Sequence, residues 1–249
     1  ETTGLPRDYN APMSDVDNWP RLVQLAWQLH DAKGKLISNH NYIIRPEGFT
    51  IPYNAEKVHG ISTMRALAEG HVLKDFLQVF RDDVVQAKYL VGHNIGFDIN
   101  VVGSEYLRAA LVMPLGEKKE LDTKDISTEF CALPGGKGGK FKWPTLTELH
   151  QKLFGVGFGD AHDAAYDVDA TARCFFGLIT QGIQKPEVGI TLEEVVYQAP
   201  TLSEANFAQA KDVQKAAAKD ILKQAGKSDI SDLADVSFTH LHVHSQYSV

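Results

Sequence analysis

Glu1-Thr2-Thr3-Gly4-Leu5-Pro6 is the stretch on which the reading of this 249-residue chain turns. An acidic residue, two small hydroxyl residues and a glycine describe the end of a buried strand opening into a loop, because Gly4 and Pro6 interrupt either regular structure. A carboxylate at a strand end is a common seat of chemistry. The alternative for Glu1 taken alone is a solvated, frayed terminus. Downstream of it, Arg7 to Pro20 is polar and turn-rich and reads as an exposed loop beside Glu1.

Arg21 to His30 alternates apolar and polar residues at the strand period, and Leu36 to Ile44 does so again after an Asp31-to-Lys35 turn containing Gly34. The pair predicts a β-hairpin, with the strand that carries Glu1 beside it. Asn54 to Gly70 places Val58-His59-Gly60-Ile61-Ser62 between short helical pieces, with Ser62 as a helix cap. The apolar positions Val72, Leu73, Phe76, Leu77, Phe80 and Val84 fall on one helical face between His71 and Ala87. Tyr89 to Gly92 is a short buried strand, and His93-Asn94-Ile95-Gly96-Phe97-Asp98 leads into a helix reaching Ala110.

Residues 113–144 are less regular. Leu121-Asp122-Thr123 suggests a strand end, and Leu133 to Lys142 is a glycine-rich basic loop. Thr145 and Glu148 have the spacing of a capping box at the head of a helix to Phe154, and a further helix is expected from His162 to Thr180. Gln184 to Pro200 reads as a connector. Thr201-Leu202-Ser203-Glu204 repeats the capping-box pattern and opens a helix to Ala225, closed by Gly226.

The totals exclude some classes. With 43% hydrophobic residues the chain has enough apolar content for a packed core. The formal charge of −7 does not advertise a nucleic-acid binder, although local basic patches and bound cations can offset it. Two cysteines, Cys131 and Cys174, cannot build a disulfide framework and point to a reducing, cytoplasmic setting. No apolar run is long enough to span a bilayer, so no membrane partner is expected.

Three separated acids have positions that can converge: Glu1 at a strand end, Asp98 at a helix start, and Asp167 in a late helix with His162 ahead of it. Carboxylates forced together repel and are costly to desolvate, so such a cluster is stable only with cations among them. Hard oxygen ligands select Mg²⁺ or Mn²⁺. Two such ions stabilise the attacking and leaving oxygens of phosphodiester cleavage, and a nearby histidine can take the proton of the attacking water. Taken singly, Asp98 and Asp167 also fit helix-cap or surface acids. Asp163 and Asp169 are separated from Asp167 by helix phase and are expected to be solvated; Asp160 reads as a loop acid.

The order ETTGLP, HNIGFD and then His-x₄-Asp resembles the DEDDh 3′–5′ exonucleases, the family that includes the epsilon proofreading subunit of bacterial DNA polymerase III. The hairpin after the first motif, Val58 to Ile61 and Leu146 to Leu149 agree with it, and the resemblance covers residues 1–182. It implies a ribonuclease H-like α/β fold, a mixed five-stranded sheet flanked by helices. It also implies that Glu1, Asp98 and Asp167 ligate two divalent cations and that His162 is the general base. The family's first motif is Asp-x-Glu, so its Asp is expected two residues before Glu1, on a first strand largely absent from this chain. A chain lacking that strand is expected to bind metal weakly and to have little activity. The resemblance further implies that Thr2, Thr3, Leu5, His59, Asn94 and Phe97 contact a single-stranded 3′ end. Leu5 would wedge beside a base and Phe97 would offer a stacking face; core packing for Phe97 and a structural role for His59 are the alternatives. Lys137, Lys140 and Lys142 either steer phosphates or keep the loop soluble.

His240-Leu241-His242-Val243-His244-Ser245 alternates as a strand and looks like the opening of the PHP domain of bacterial polymerase III alpha subunits. The expected layout is an exonuclease domain over 1–183, a connector with a long helix over 184–235, and the start of a PHP domain over 236–249. The expected activity is metal-dependent 3′–5′ removal of nucleotides from DNA ends in polymerase proofreading, with other polymerase III components in the same polypeptide. An RNA-trimming relative with the same chemistry and a non-catalytic module that binds the primer strand are the alternatives.

Overall fold

The structure, a computed structural model, describes residues 1–31, 33–114, 118–157 and 164–184. The hairpin is present: β1 (Gln24–His30) pairs antiparallel with β2 (Leu36–Ile43), in register from Gln24 opposite Ile43 to Leu29 opposite Ser38, and slips between Leu29 and His30. The Asp31 carboxylate accepts from the backbone N–H of Lys33 and of Lys35, each at 2.9 Å, which closes the turn. Two short helices follow, α1 (Tyr53–His59) and α2 (Thr63–Glu69), with Ser62 capping the second as expected. After them come α3 (Leu73–Gln86), β3 (Tyr89–Gly92) and α4 (Ile95–Arg108).

The stretch that reads as irregular holds two elements. β4 (Lys119–Asp122) pairs parallel with β3, placing Asp122 opposite Gly92, and α5 (Thr123–Cys131) starts at once with Asp122 as its cap. α6 (Leu146–Phe154) carries the expected capping box, and α7 (Ala164–Thr180) closes the described part. The C-terminal connector, the helix expected from Thr201 and the His-x-His stretch lie outside the described residues, as does His162.

Alternation in β1 splits its two faces. Leu25, Trp27 and Leu29 are buried. Trp27 packs edge-on against Phe80 of α3 and donates its indole N–H to Asp83. From the opposite face Gln28 donates to Asp169 of α7, and His30 meets the Phe176 ring. β1 is therefore sandwiched between helices, as in layered α/β folds. Asp169, expected to be solvated, is instead buried. The helix phase that turns it away from Asp167 turns it onto β1, where Gln28 supplies the hydrogen bond that its burial requires.

Ahead of β1 the chain gains a further pairing. Thr3 N–H donates to Arg21 O, Thr2 bridges antiparallel to Leu22, and the Glu1 carbonyl accepts from Val23 and Gln24 at 2.9 and 3.2 Å. Glu1 thus ends a strand-like segment running beside the hairpin, as its sequence suggests. Among the described residues the sheets are two-stranded, β1–β2 and β3–β4, rather than one continuous five-stranded sheet. β1 and β3 each leave an edge outside these pairs, and one cleft is lined from both, by Leu25, Trp27 and Leu29 and by Leu90 and Val91.

Candidate active site

β3 and β4 run parallel and end together at Gly92 and Asp122. In open α/β sheets, ligands gather at the carboxyl ends of parallel strands. The turn out of β3 is tight: a Cβ on Gly92 would stand 2.7 Å from Ile95 Cδ1 and 3.1 Å from Ile95 Cα. His93 is then pinned at both ring nitrogens, Nδ1 to Thr123 Oγ1 and Nε2 to the Pro144 carbonyl, each at 2.9 Å. Because a carbonyl only accepts, Nε2 carries the proton there. Burial lowers the ring's pKa, against the hydrogen bond to the Pro144 carbonyl that raises it, and His93 serves as a structural strut. Asn94 sits in the left-handed region at φ 74°, a strained position for a non-glycine residue, and its N–H donates to Asp122 Oδ1 at 2.9 Å. This geometry launches α4 with Asp98 in its first turn.

The cleft between β1 and β3 is lined by Glu1, Thr2, Phe97, Asp98 and Asp167, together with the apolar residues above. Asp98 opens onto it, yet protein atoms crowd around the carboxyl. Its pKa rises from 3.8 to about 7, first through this desolvation; the Glu1 amino group pulls it down, while the charges of Asp122, Asp167 and Glu1 push it up. Glu1, Asp98 and Asp167, distant in sequence, are therefore close enough to sense one another. Asp122 joins them as an acid that the sequence showed only as a strand end; its signal is its place opposite Gly92, which strand pairing alone reveals.

The donor set suits a hard divalent cation, since it consists of carboxylate oxygens whose mutual repulsion a cation would relieve. The cluster is not drawn tight: among the described residues no group of three or more His, Cys, Asp or Glu side chains stands close enough to hold a metal ion.

The residues expected at the substrate divide. Thr2 and Phe97 line the cleft, whereas Thr3, Leu5, His59 and Asn94 are not among its lining residues. The two threonine hydroxyls are engaged locally, Thr2 donating to Gly4 O at 2.7 Å and Thr3 accepting from Arg21 N–H at 2.9 Å. Leu5 is exposed. Phe97 packs between Trp19 and Tyr9, with centroids 6.3 and 6.5 Å away. Tyr9, exposed in a loop whose polarity hid it, thereby extends the aromatic contacts of Phe97 beyond the buried Trp19.

His59 is buried, with Nδ1 accepting from Ile61 N–H at 3.1 Å and Nε2 left without a hydrogen bond. Its pKa is lowered, burial outweighing the pull of Glu1 and of the nearby Thr2 carbonyl.

Residues 1–175 match the RNase T family model, described as exonuclease. The chain belongs to this exonuclease family. Among curated proteins it is 29% identical over 186 residues to a PolC-type DNA polymerase III of Streptococcus suis, and 28% identical over 188 residues to that of Streptococcus pneumoniae serotype 2. The match takes in 74% of this chain and spans 11% of the length of either relative. Among solved structures it is similar to E. coli exonuclease I in complex with a dA16 oligonucleotide. That likeness has 20% identity and a TM-score of 0.56, over 73% of this chain and 39% of that one. The dT13 complex gives 22% identity and the same TM-score over 72% and 39%. These structures share the α/β, ribonuclease H-like fold of exonucleases. Among the described residues no helix is long and apolar enough to cross a membrane.

Proposed function

We propose that the chain is a DEDDh-type, metal-dependent 3′–5′ exonuclease domain acting on single-stranded DNA ends, in the setting of polymerase proofreading. The observation that carries this reading is the one cleft that Glu1, Asp98 and Asp167 line together, where desolvation first, and the charges of Asp122, Asp167 and Glu1 after it, raise the Asp98 carboxyl to about 7. An acid held in such company is arranged for a cation rather than for folding. Glu1, Asp98 and Asp167 would hold two divalent cations, Mg²⁺ or Mn²⁺. When bound, such ions supply charge neutralisation at the attacking and leaving oxygens of a phosphodiester. His162 is assigned as the general base by the resemblance of His-x₄-Asp to the family's third motif, since it lies outside the described residues. The His59 N–H and the Phe97 face would orient the terminal nucleotide, with Thr2, Thr3, Leu5 and Asn94 around it.

The apolar slot between β1 and β3 supports one further element of this reading. The register that pairs Thr3 with Arg21 and Thr2 with Leu22 would carry a preceding residue alongside Leu25 and onward, between the edges that β1 and β3 leave outside their pairs among the described residues. An Asp two positions before Glu1 would share the face of Glu1, since strand side chains alternate. Residues 1–183 are assigned to the nuclease, 184–235 to a connector and 236–249 to the start of a PHP domain. Fusion to further polymerase III parts accords with the PolC-type relatives.

The deciding experiment uses a protein extended upstream through this slot, with DNA and RNA oligonucleotides labelled at the 5′ end. Progressive shortening from the 3′ end with Mg²⁺ or Mn²⁺, faster on DNA and abolished by Asp167→Ala, is the expected result. Full activity in chelator would overturn the mechanism, and a preference for RNA would move the function to RNA trimming.

A further inference from the structure

The loop before α6 ends in Lys140-Phe141-Lys142-Trp143, and its aromatics are not folded away: Phe141 is 41% and Trp143 53% exposed. The other two tryptophans, Trp19 and Trp27, are buried at 3% and 8%. Lys124 of α5 places its ammonium over the Trp143 ring, 4.4 Å from the centroid. The same ammonium donates to Asn94 Oδ1 at 2.9 Å, while Lys124 N–H and Asn94 N–H both donate to Asp122 Oδ1. The His93–Pro144 hydrogen bond ties the base of the loop to the turn that launches Asp98. Lys142 is held by Glu148 at 2.7 Å, which fixes the loop from its other side. An open indole, a cation held on its face by a side-chain amide, and a rigid link to the catalytic turn thus occur together.

We propose that Trp143 and Lys124 form a platform for the single strand outside the catalytic cleft: a base stacks on the indole and the adjoining phosphate meets the Lys124 ammonium, with Phe141 and Lys140 extending the track. The inference rests on the exonuclease reading for its substrate. An aromatic face binds any base, and an ammonium beside it binds the backbone, which is the chemistry of sequence-tolerant single-strand binding. Lys124 is suited to the role because Asn94 positions it without neutralising it. Asn94 therefore acts through Lys124, and the strained backbone that orients it serves the platform as well as the helix start.

The test is an oligothymidylate titration of the whole chain in chelator, so that binding is read without cleavage. Tryptophan emission reports the site directly, since Trp143 is the exposed one of the three. Saturable quenching is expected, lost in Trp143→Phe for want of the fluorophore. Anisotropy of a labelled oligonucleotide should show Trp143→Ala weakening binding by about 5- to 100-fold and Trp143→Phe by much less. Lys124→Gln should reduce the slope of log K against log salt by about 0.7, the value for one phosphate contact on a single strand. Unquenched emission, or a Trp143→Ala affinity equal to that of the unaltered chain, overturns the platform. The exonuclease reading fails separately, if the upstream-extended protein hydrolyses neither an oligonucleotide nor a p-nitrophenyl ester of a single nucleotide with Mg²⁺ or Mn²⁺.

Discussion

Helix α4 carries two carboxylates about two turns apart, and they are treated in opposite ways. Glu105 is 1% exposed and fully engaged: Arg21 Nε and Arg108 Nη1 approach Oε1 at 2.8 Å each, and Leu22 N–H donates to it at 3.0 Å. Arg108 reaches on to the Val16 and Trp19 carbonyls. One acid thus fastens the loop ahead of β1 to the helix, and that loop presents Arg21 to Thr3. Asp98 opens onto the cleft, and the charged side chains that bear on it are acids. The difference separates a charge whose partners are built into the fold from one whose partner must arrive with the ligand.

The largest expected effect tests the second kind. In the upstream-extended protein, Asp98→Asn or Asp167→Ala should lower the rate of single-strand hydrolysis by about a thousandfold or more, roughly 4 kcal/mol of transition-state stabilisation. Melting temperature should hold or rise in Asp98→Asn, because an amide relieves repulsion that a carboxylate suffers. A variant that loses activity by unfolding would erase the contrast with Glu105, and circular dichroism melts decide between the two.

Glu105→Ala is the mirror experiment. It leaves the half-buried Arg21 and Arg108 without their buried counter-ion, a change expected to cost about 3 kcal/mol and to appear as a lower denaturation midpoint. Hydrolysis by the fraction that stays folded should survive within about tenfold. If Glu105→Ala abolished hydrolysis while leaving the midpoint unmoved, Glu105 would belong with the catalytic acids and the comparison would fail.

Between the two lies Gly92, where β3 turns into the segment that aims Asp98. A methyl group there meets Ile95 at its Cα as well as its flexible side chain, so the backbone must shift. Gly92→Ala should therefore cost about 1–2 kcal/mol of stability. It should cost proportionally more activity, measured as kcat/KM on an oligonucleotide, since a small displacement of a catalytic group is amplified in rate.

Much of this was legible in the sequence, for a physical reason. The hairpin, α3, β3 and the capped α6 follow from local periodicity and capping chemistry, which need no partner to be read. Glu1 could be promoted from a frayed end only beside Asp98 and Asp167, and the three line one cleft. Of β4 only the end at Leu121 to Thr123 was legible, because Lys-Glu-Leu-Asp has no apolar alternation; it is a strand through its pairing with β3, a long-range fact. The place of Asp122 beside Gly92, and α5, were missed with it. Asp169 misled because helix phase tells which way a side chain turns but not whether a strand such as β1 waits there. Trp143 stood in plain view beside its lysines, yet the ammonium on its face comes from Lys124, brought in by the parallel pairing that also hid Asp122.

The finest effect is a pH dependence, and it sharpens the contrast because it belongs to Asp98. In the metal-free fold the Asp98 carboxyl holds its proton to about 7, against 3.8 for the ordinary group. A folded-state pKa above the unfolded one stabilises the fold fully below pH 4, and that contribution is lost as pH rises through about 7. Asp98→Asn has no such proton to lose. Its melting temperature minus that of the unaltered protein, measured in chelator, should therefore grow between pH 4 and pH 8. Because the carboxyl opens onto the cleft, solvent screens the charges, and about 1 kcal/mol is expected rather than the full conversion of the shift. Taking the difference removes His59 and His93, whose lowered pKa values give stability that is lost as pH falls through their folded values and are common to both proteins. Millimolar Mn²⁺ should flatten the curve by raising the unaltered protein at pH 8 and leaving Asp98→Asn nearly unmoved. A difference that stayed level from pH 4 to pH 8 would mean that Asp98 ionises as freely as a surface acid, and the cleft would lose its distinction from any other solvated face of the helix.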